Sequence, residues 1–124
     1  MAVKYFKRDD SVYDYRDADV LICNKERTVV VGILYIHGQD TAPRIVFMAN
    51  GNVAKQVLSE AKSIGFSVNK NSPFANIMYV EYEVGDELKP ELYQVAAEIL
   101  ALVYTERNNT KKKKKKRNKR KGGK

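Results

Sequence analysis

Apolar positions along this chain fall in short blocks separated by polar punctuation. Residues 19–23 and 28–36 (Thr-Val-Val-Val-Gly-Ile-Leu-Tyr-Ile) are rich in β-branched side chains. Their apolarity is continuous rather than alternating, which predicts strands buried on both faces. Asn24-Lys25-Glu26-Arg27 between them reads as a polar hairpin loop, and Gly38-Gln39-Asp40-Thr41 as the next connector. Pro43 then precedes a third strand, 44–48, at a strand start where a missing N–H is tolerated. Asn50-Gly51-Asn52 stops that strand and supplies a helix N-cap. Val53, Val57, Ala61 and Ile64 follow at helical spacing and predict a helix over 52–64, closed by Gly65. A fourth strand is expected at 66–69. Strand, helix and strand in close succession make a βαβ unit, with 44–48 and 66–69 as parallel neighbours joined by a right-handed crossover. Ser72-Pro73 opens a short helix to about Tyr79, Ser72 as N-cap and Pro73 at N1. Pro90 opens the last helix, to which Leu92, Val95, Ala96, Ile99, Leu100 and Val103 give a broad apolar face. The fold class that follows is α/β: a small mixed four-stranded sheet flanked by helices, with a βαβ unit.

Both ends fall outside this pattern. Residues 1–17 mix charges with Tyr5, Phe6, Tyr13 and Tyr15 without a sustained period, which reads as a flexible arm. Residues 111–124 carry eleven Lys and Arg and no acid. Like charges repel and nothing there is apolar enough to be buried, so disorder is expected. The domain organisation is then an arm at 1–17, one folded domain at 18–106, and a basic tail at 107–124. The tail changes the meaning of the formal charge of +8: the rest of the chain holds twelve bases against fifteen acids, a net −3. A basic face able to bind nucleic acid is therefore not expected on the folded part.

Candidate chemistry is sparse. One cysteine, Cys23, excludes an internal disulfide, and one histidine, His37, excludes a multi-histidine metal site. Both fit a reducing compartment and a protein without metal or cofactor. Cys23 ends an apolar strand and reads as a small buried hydrophobe. His37 reads as a turn residue beside Gly38. Glu81, Glu83, Asp86 and Glu87 could form an acid/base pair or metal site, but read more simply as a solvated connector leading to Pro90. No glycine-rich phosphate loop is present. The apolar stretch at 29–36 is far short of the roughly 20 residues a membrane span needs, and the charged N-terminus does not resemble a signal peptide.

One long run of punctuation carries more. It opens Ala42-Pro43-Arg44-Ile45-Val46 and passes Ala61-Lys62, Gly65-Phe66 and Asn71-Ser72-Pro73-Phe74-Ala75. It closes Glu83-Val84-Gly85-Asp86-Glu87-Leu88-Lys89-Pro90-Glu91-Leu92-Tyr93-Gln94-Val95-Ala96-Ala97-Glu98. These blocks resemble the cytoplasmic domain of the FlhB/YscU family, the substrate-specificity switch proteins of flagellar and injectisome type III export. With one insertion the resemblance reaches back to Ala18-Asp19-Val20-Leu21-Ile22-Cys23-Asn24, and so covers 18–104. Full-length members carry an N-terminal membrane domain; this chain is expected to be a free-standing cytoplasmic counterpart, peripheral at the inner face of the membrane near the export apparatus.

The resemblance implies two sites. Members cut their own chain at an Asn-Pro-Thr-His tetrapeptide in the first hairpin, where the Asn side-chain amide attacks its own backbone carbonyl. The matching positions here are Asn24, Lys25, Glu26 and Arg27, or, one residue later, Lys25-Glu26-Arg27-Thr28. Either way Pro and His are absent, the turn is relaxed and the one side chain titrating near neutrality is lost. No catalysis is expected. The second site is a shallow apolar pocket where exported subunits dock; carried over by position, its residues are Ala42, Pro43, Ala97 and Leu100. The plainer alternative is that Ala97 and Leu100 only pack the helix on the sheet. Phe47-Met48-Ala49 stands where the family has a Lys-Gly pair, so a basic surface near the pocket is lost. The function implied is a non-catalytic docking module of the type III export apparatus, with export-gate proteins and exported subunits as partners. An anionic membrane is a further partner for the tail. A nucleic-acid- or ribosome-associated adaptor acting through the tail is the alternative.

Overall fold

The structure is a computed structural model and describes residues 3–8, 10–36 and 38–105. His37 and the basic tail lie outside the described residues. Six strands form one sheet: β1 (Val3–Arg8), β2 (Ser11–Tyr13), β3 (Val20–Cys23), β4 (Val29–Leu34), β5 (Arg44–Asn50) and β6 (Val68–Lys70), in the order β2-β1-β5-β4-β3-β6. The helices are α1 (Gly51–Ser63), α2 (Ser72–Glu81) and α3 (93–105), with short 3-10 turns at Tyr15–Asp17 and Pro90–Leu92.

β3 and β4 are buried on both faces, as their unbroken apolarity requires. Successive side chains point to opposite sides, except at the β-bulge opposite Gly32 and Ile33, where Val46 and Phe47 fall on the same side. Val20, Ile22, Val31 and Ile33 meet α2 and α3 through Phe74, Met78, Ala96, Ile99 and Leu100. Leu21, Cys23, Val30, Val46 and Phe47 meet α1 through Ala54, Leu58 and Ala61. The result is three layers with α1 alone on one side. The buried stripe of α1 is Ala54, Leu58 and Ala61, with Val53 and Val57 at its margin; Ile64, expected in the stripe, is exposed. Asn71 rather than Ser72 caps α2, accepting a 3.1 Å bond from Phe74 N–H.

Three expectations are corrected. Among the described residues the sheet has six strands, not four. The described residues of the expected arm at 1–17 are part of the domain: β1 pairs antiparallel with β5 (Val3↔Ala49, Lys4↔Met48, Tyr5↔Phe47) and with β2. Tyr15, held by a capping box between Asp14 and Asp17, packs its ring on Phe47 and Phe66. This segment is anchored by aromatic rings rather than by an alternating aliphatic row, and so it shows no strand period. Finally, β5 and β6 run in the same direction but are not neighbours. β1 and β4 occupy both edges of β5, so the chain leaving α1 crosses to the open edge of β3, where β6 pairs in parallel (Leu21↔Val68, Cys23↔Lys70).

Candidate functional site

The start of β5 and one face of α3 enclose a cleft of ≈ 360 Å³ lined by Tyr35, Thr41, Pro43, Tyr93, Ala97, Leu100, Ala101 and Tyr104. Of the four positions expected to form a pocket, Pro43, Ala97 and Leu100 line it. Ala42 does not: it is buried behind the wall, 2% exposed. Ala97 and Ala101 are exposed and open the floor because they are small, while Leu100 is buried and supplies an apolar wall. The three tyrosines were not foreseen. Tyr93, Ala97, Leu100 and Tyr104 recur at three- to four-residue spacing, which places them on one helix face. That stripe was present in the sequence but overlapped the stripe facing the core.

A polar network holds the rim. Asp40, with a side chain 1% exposed, receives Arg8 at 3.2 Å and Arg44 at 3.3 Å, and accepts the Ile36 N–H at 3.1 Å. Burial opposes its charge. The Ile36 N–H and the two guanidinium groups outweigh that, so its carboxyl titrates below the usual range. Arg44 also pairs with Glu87 at 3.1 Å and donates to the Gly85 carbonyl. Glu87 in turn accepts from the Thr41 N–H and hydroxyl. Backbone bonds from Leu88 N–H to the Pro43 carbonyl and from Ile45 N–H to the Asp86 carbonyl complete the tie. The acidic stretch therefore divides: Glu87 fixes Thr41 and Pro43, Asp86 accepts the Glu83 N–H within its own turn, and Glu81 is exposed. Among the described residues no group of three or more His, Cys, Asp or Glu is placed to hold a metal ion.

The β3–β4 loop is built around Asn24, which is 6% exposed. Its Oδ1 accepts the N–H of Thr28 (2.9 Å) and of Val29 (3.0 Å), and its Nδ2 donates to Thr28 Oγ1 (2.9 Å). Arg27 takes a left-handed backbone, φ 64°, and Lys25 N–H donates to Ser72 Oγ. Lys25, Glu26 and Arg27 are exposed. Cys23 is buried beside this loop; burial pushes its thiol up, against the opposing pull of Arg27 and Lys70. A thiol so placed is a poor nucleophile.

A mixed sheet with one helix on one side and two on the other, an aromatic cleft at the start of β5 and an Asn-centred hairpin define the class. The model of the FlhB HrpN YscU SpaS family matches residues 4–103, and the chain belongs to that family. It is 31% identical over 86 residues to the flagellar biosynthetic protein FlhB of Aquifex aeolicus, which covers 69% of this chain and 24% of that protein. It is 30% identical over 83 residues to the uncharacterized protein YlqH of Bacillus subtilis, covering 64% of this chain and 88% of YlqH. The chain thus spans about a quarter of the length of FlhB and most of YlqH. The crystal structure of the cytoplasmic domain of FlhB from Shewanella putrefaciens superimposes with a TM-score of 0.68 at 22% identity, covering 77% of this chain and 72% of that one. The EscU C-terminal domain gives 0.67 at 15% identity, covering 72% and 94%. These likenesses establish the fold. No described helix is long and apolar enough to cross a membrane.

Proposed function

We propose that this domain is a non-cleaving docking module of a type III protein export apparatus, and that it takes a short apolar segment of an exported subunit into the cleft at Pro43, Ala97 and Leu100. The observation that carries this reading is the cleft itself. Family membership leads to an expectation of a docking site at these positions, and three of the four expected residues line one concave, largely apolar surface. Small residues in the floor and aromatic rings around it suit capture of an apolar side chain. The Asp40–Arg44–Glu87 network holds Pro43 in place before any ligand arrives, which reduces the ordering cost of binding.

Ala97→Asp tests this. Ala97 is exposed, so the variant is expected to fold, but a carboxylate in the cleft meets an incoming apolar side chain and must be desolvated without a partner. Binding of a short apolar peptide from an exported subunit, measured by fluorescence anisotropy, is expected to fall at least about tenfold, equivalent to about 1.4 kcal/mol. A folded Ala97→Asp protein that binds like the parent removes the cleft from the proposal.

The non-cleaving part rests on Asn24. Succinimide formation needs Nδ2 free to swing onto its own carbonyl carbon. Here the side-chain amide points into the hairpin, held by three hydrogen bonds, and neither Pro nor His follows it.

A further inference from the structure

A second concavity, of ≈ 420 Å³, lies on the α1 side of the sheet, opposite the tyrosine cleft. It is lined by Cys23, Arg27, Leu58, Lys62, Gly65, Phe66, Val68 and Lys70. Two features set it apart. First, it is basic in a body whose net charge is negative. Arg27, Lys62 and Lys70 are all exposed, and among the described residues none of them forms an ion pair. The lining holds no acid. Second, it borders an open sheet edge. Among the described residues β6 pairs with β3 alone. The Leu21 N–H donates to the Ser67 carbonyl and the Asn71 N–H to the Cys23 carbonyl. In a parallel ladder of that register the odd-numbered residues of this strand bond to β3. The N–H and C=O of Val68 and Lys70 are therefore turned outward. The same two residues send their side chains into the concavity.

We propose that this edge and the adjoining basic concavity accept an extended, acidic segment of a partner protein as a seventh strand. Its backbone pairs with the outward groups of Val68 and Lys70. Its side chains on the α1 face alternate with the pleat, so that carboxylates reach Lys62, Lys70 and Arg27 while an apolar side chain covers Leu58, Phe66 and Val68. Strand addition supplies affinity through the main chain and specificity through alternate side chains. Charge complementarity sets the sign of the guest. The free backbone groups favour a polypeptide over an anionic lipid surface, because only a polypeptide offers matching donors and acceptors. The site is independent of the tyrosine cleft, from which the sheet separates it.

The test uses the full chain and a synthetic peptide whose every second residue is alternately Asp and Val, with Thr between them, so that one face carries both acidic and apolar side chains, against a Lys-for-Asp control of the same length. Backbone amide exchange read by NMR is expected to slow at least tenfold at Val68 and Lys70 when the acidic peptide is added, and not with the control. Lys62→Glu/Lys70→Glu changes only exposed side chains and should reduce the affinity at least tenfold. Val68→Pro removes an outward N–H that β3 does not use, so it should keep the fold and lose the peptide. Ala97→Asp should leave this binding unchanged. The proposal is overturned if the acidic peptide perturbs only the basic tail, if Val68→Pro binds it as well as the parent, or if phosphatidylglycerol vesicles rather than the peptide protect the two amides.

Discussion

Asn24 and Asp40 show how single buried polar residues organise the two sites. Asn24 satisfies two backbone amides and one hydroxyl in a loop that otherwise consists of exposed charges. Replacing it with Ala leaves the Thr28 and Val29 N–H groups without their acceptor. The expected loss is about 1–3 kcal/mol, visible as a lower denaturation midpoint. Intact mass is a separate readout: wild-type and Asn24→Ala proteins held at neutral pH for days should both remain single species, and a wild-type fragment beginning at Lys25 would refute the non-cleaving reading. Asp40 predicts a pH dependence. Its folded carboxyl titrates below its unfolded value of about 4. The stability it contributes is therefore fully present above that value and is lost as pH falls through the folded one. Asp40→Asn leaves Arg8 and Arg44 without their shared anion and should cost about 3 kcal/mol near neutrality. In urea titrations the gap between Asp40→Asn and wild type should narrow steadily below pH ~4. A gap independent of pH would mean that Asp40 matters for its shape rather than its charge.

At the scale of elements, the N-terminal segment carries the clearest consequence. β1 covers one edge of the central strand β5, and Arg8 reaches across to Gln39 and Asp40. Deleting residues 1–13 would expose β5 and remove one of the two cations on Asp40. The truncated protein is expected to aggregate or to unfold at markedly lower denaturant, whereas a dispensable arm would leave the midpoint unchanged. The sequence pattern made β3, β4, β5 and the three helices legible because each has its own apolar run, helical period, cap or proline. It could not reveal β1 and β2, whose burial is one-sided and aromatic. Nor could it place β6: a three-residue strand carries too little pattern to name its partner, and the choice depends on which edge remained open. Likewise Pro43, Ala97 and Leu100 were accessible through family resemblance. Their tyrosine surround required knowing that β4 ends beside α3, a tertiary fact that brings Tyr35 to Tyr93 and Tyr104. Gly32 is a position where packing alone explains the residue. A Cβ there would lie 3.1 Å from that of Ala18 and 3.2 Å from that of Phe47. Gly32→Ala should therefore destabilise by about 1–3 kcal/mol despite a better strand propensity.

The whole molecule divides its charge: a body of net −3 and a terminal segment with eleven bases. That division predicts how the two modes of association separate. Near an anionic bilayer each basic residue of the tail gains about 1 kcal/mol before screening and incomplete contact reduce it. This is enough for a reversible tether and too tolerant of sequence for specificity. Sedimentation with phosphatidylglycerol vesicles should therefore fall steeply between low and physiological salt and disappear when residues 111–124 are deleted. The two proposed docking surfaces should behave differently. The tyrosine cleft depends on apolar contact, so peptide capture there should persist at salt concentrations that release the vesicles. Tail-mediated vesicle binding should also leave the Val68 and Lys70 amides exchanging as before, because those groups lie on the folded body. If the tail-deleted protein still sediments with vesicles in a salt-dependent way, the tail is not the tether. The cations of the folded domain, Arg27, Lys62 and Lys70 first among them, would then be the ones facing the membrane, and the acidic-strand proposal would give way to a lipid one.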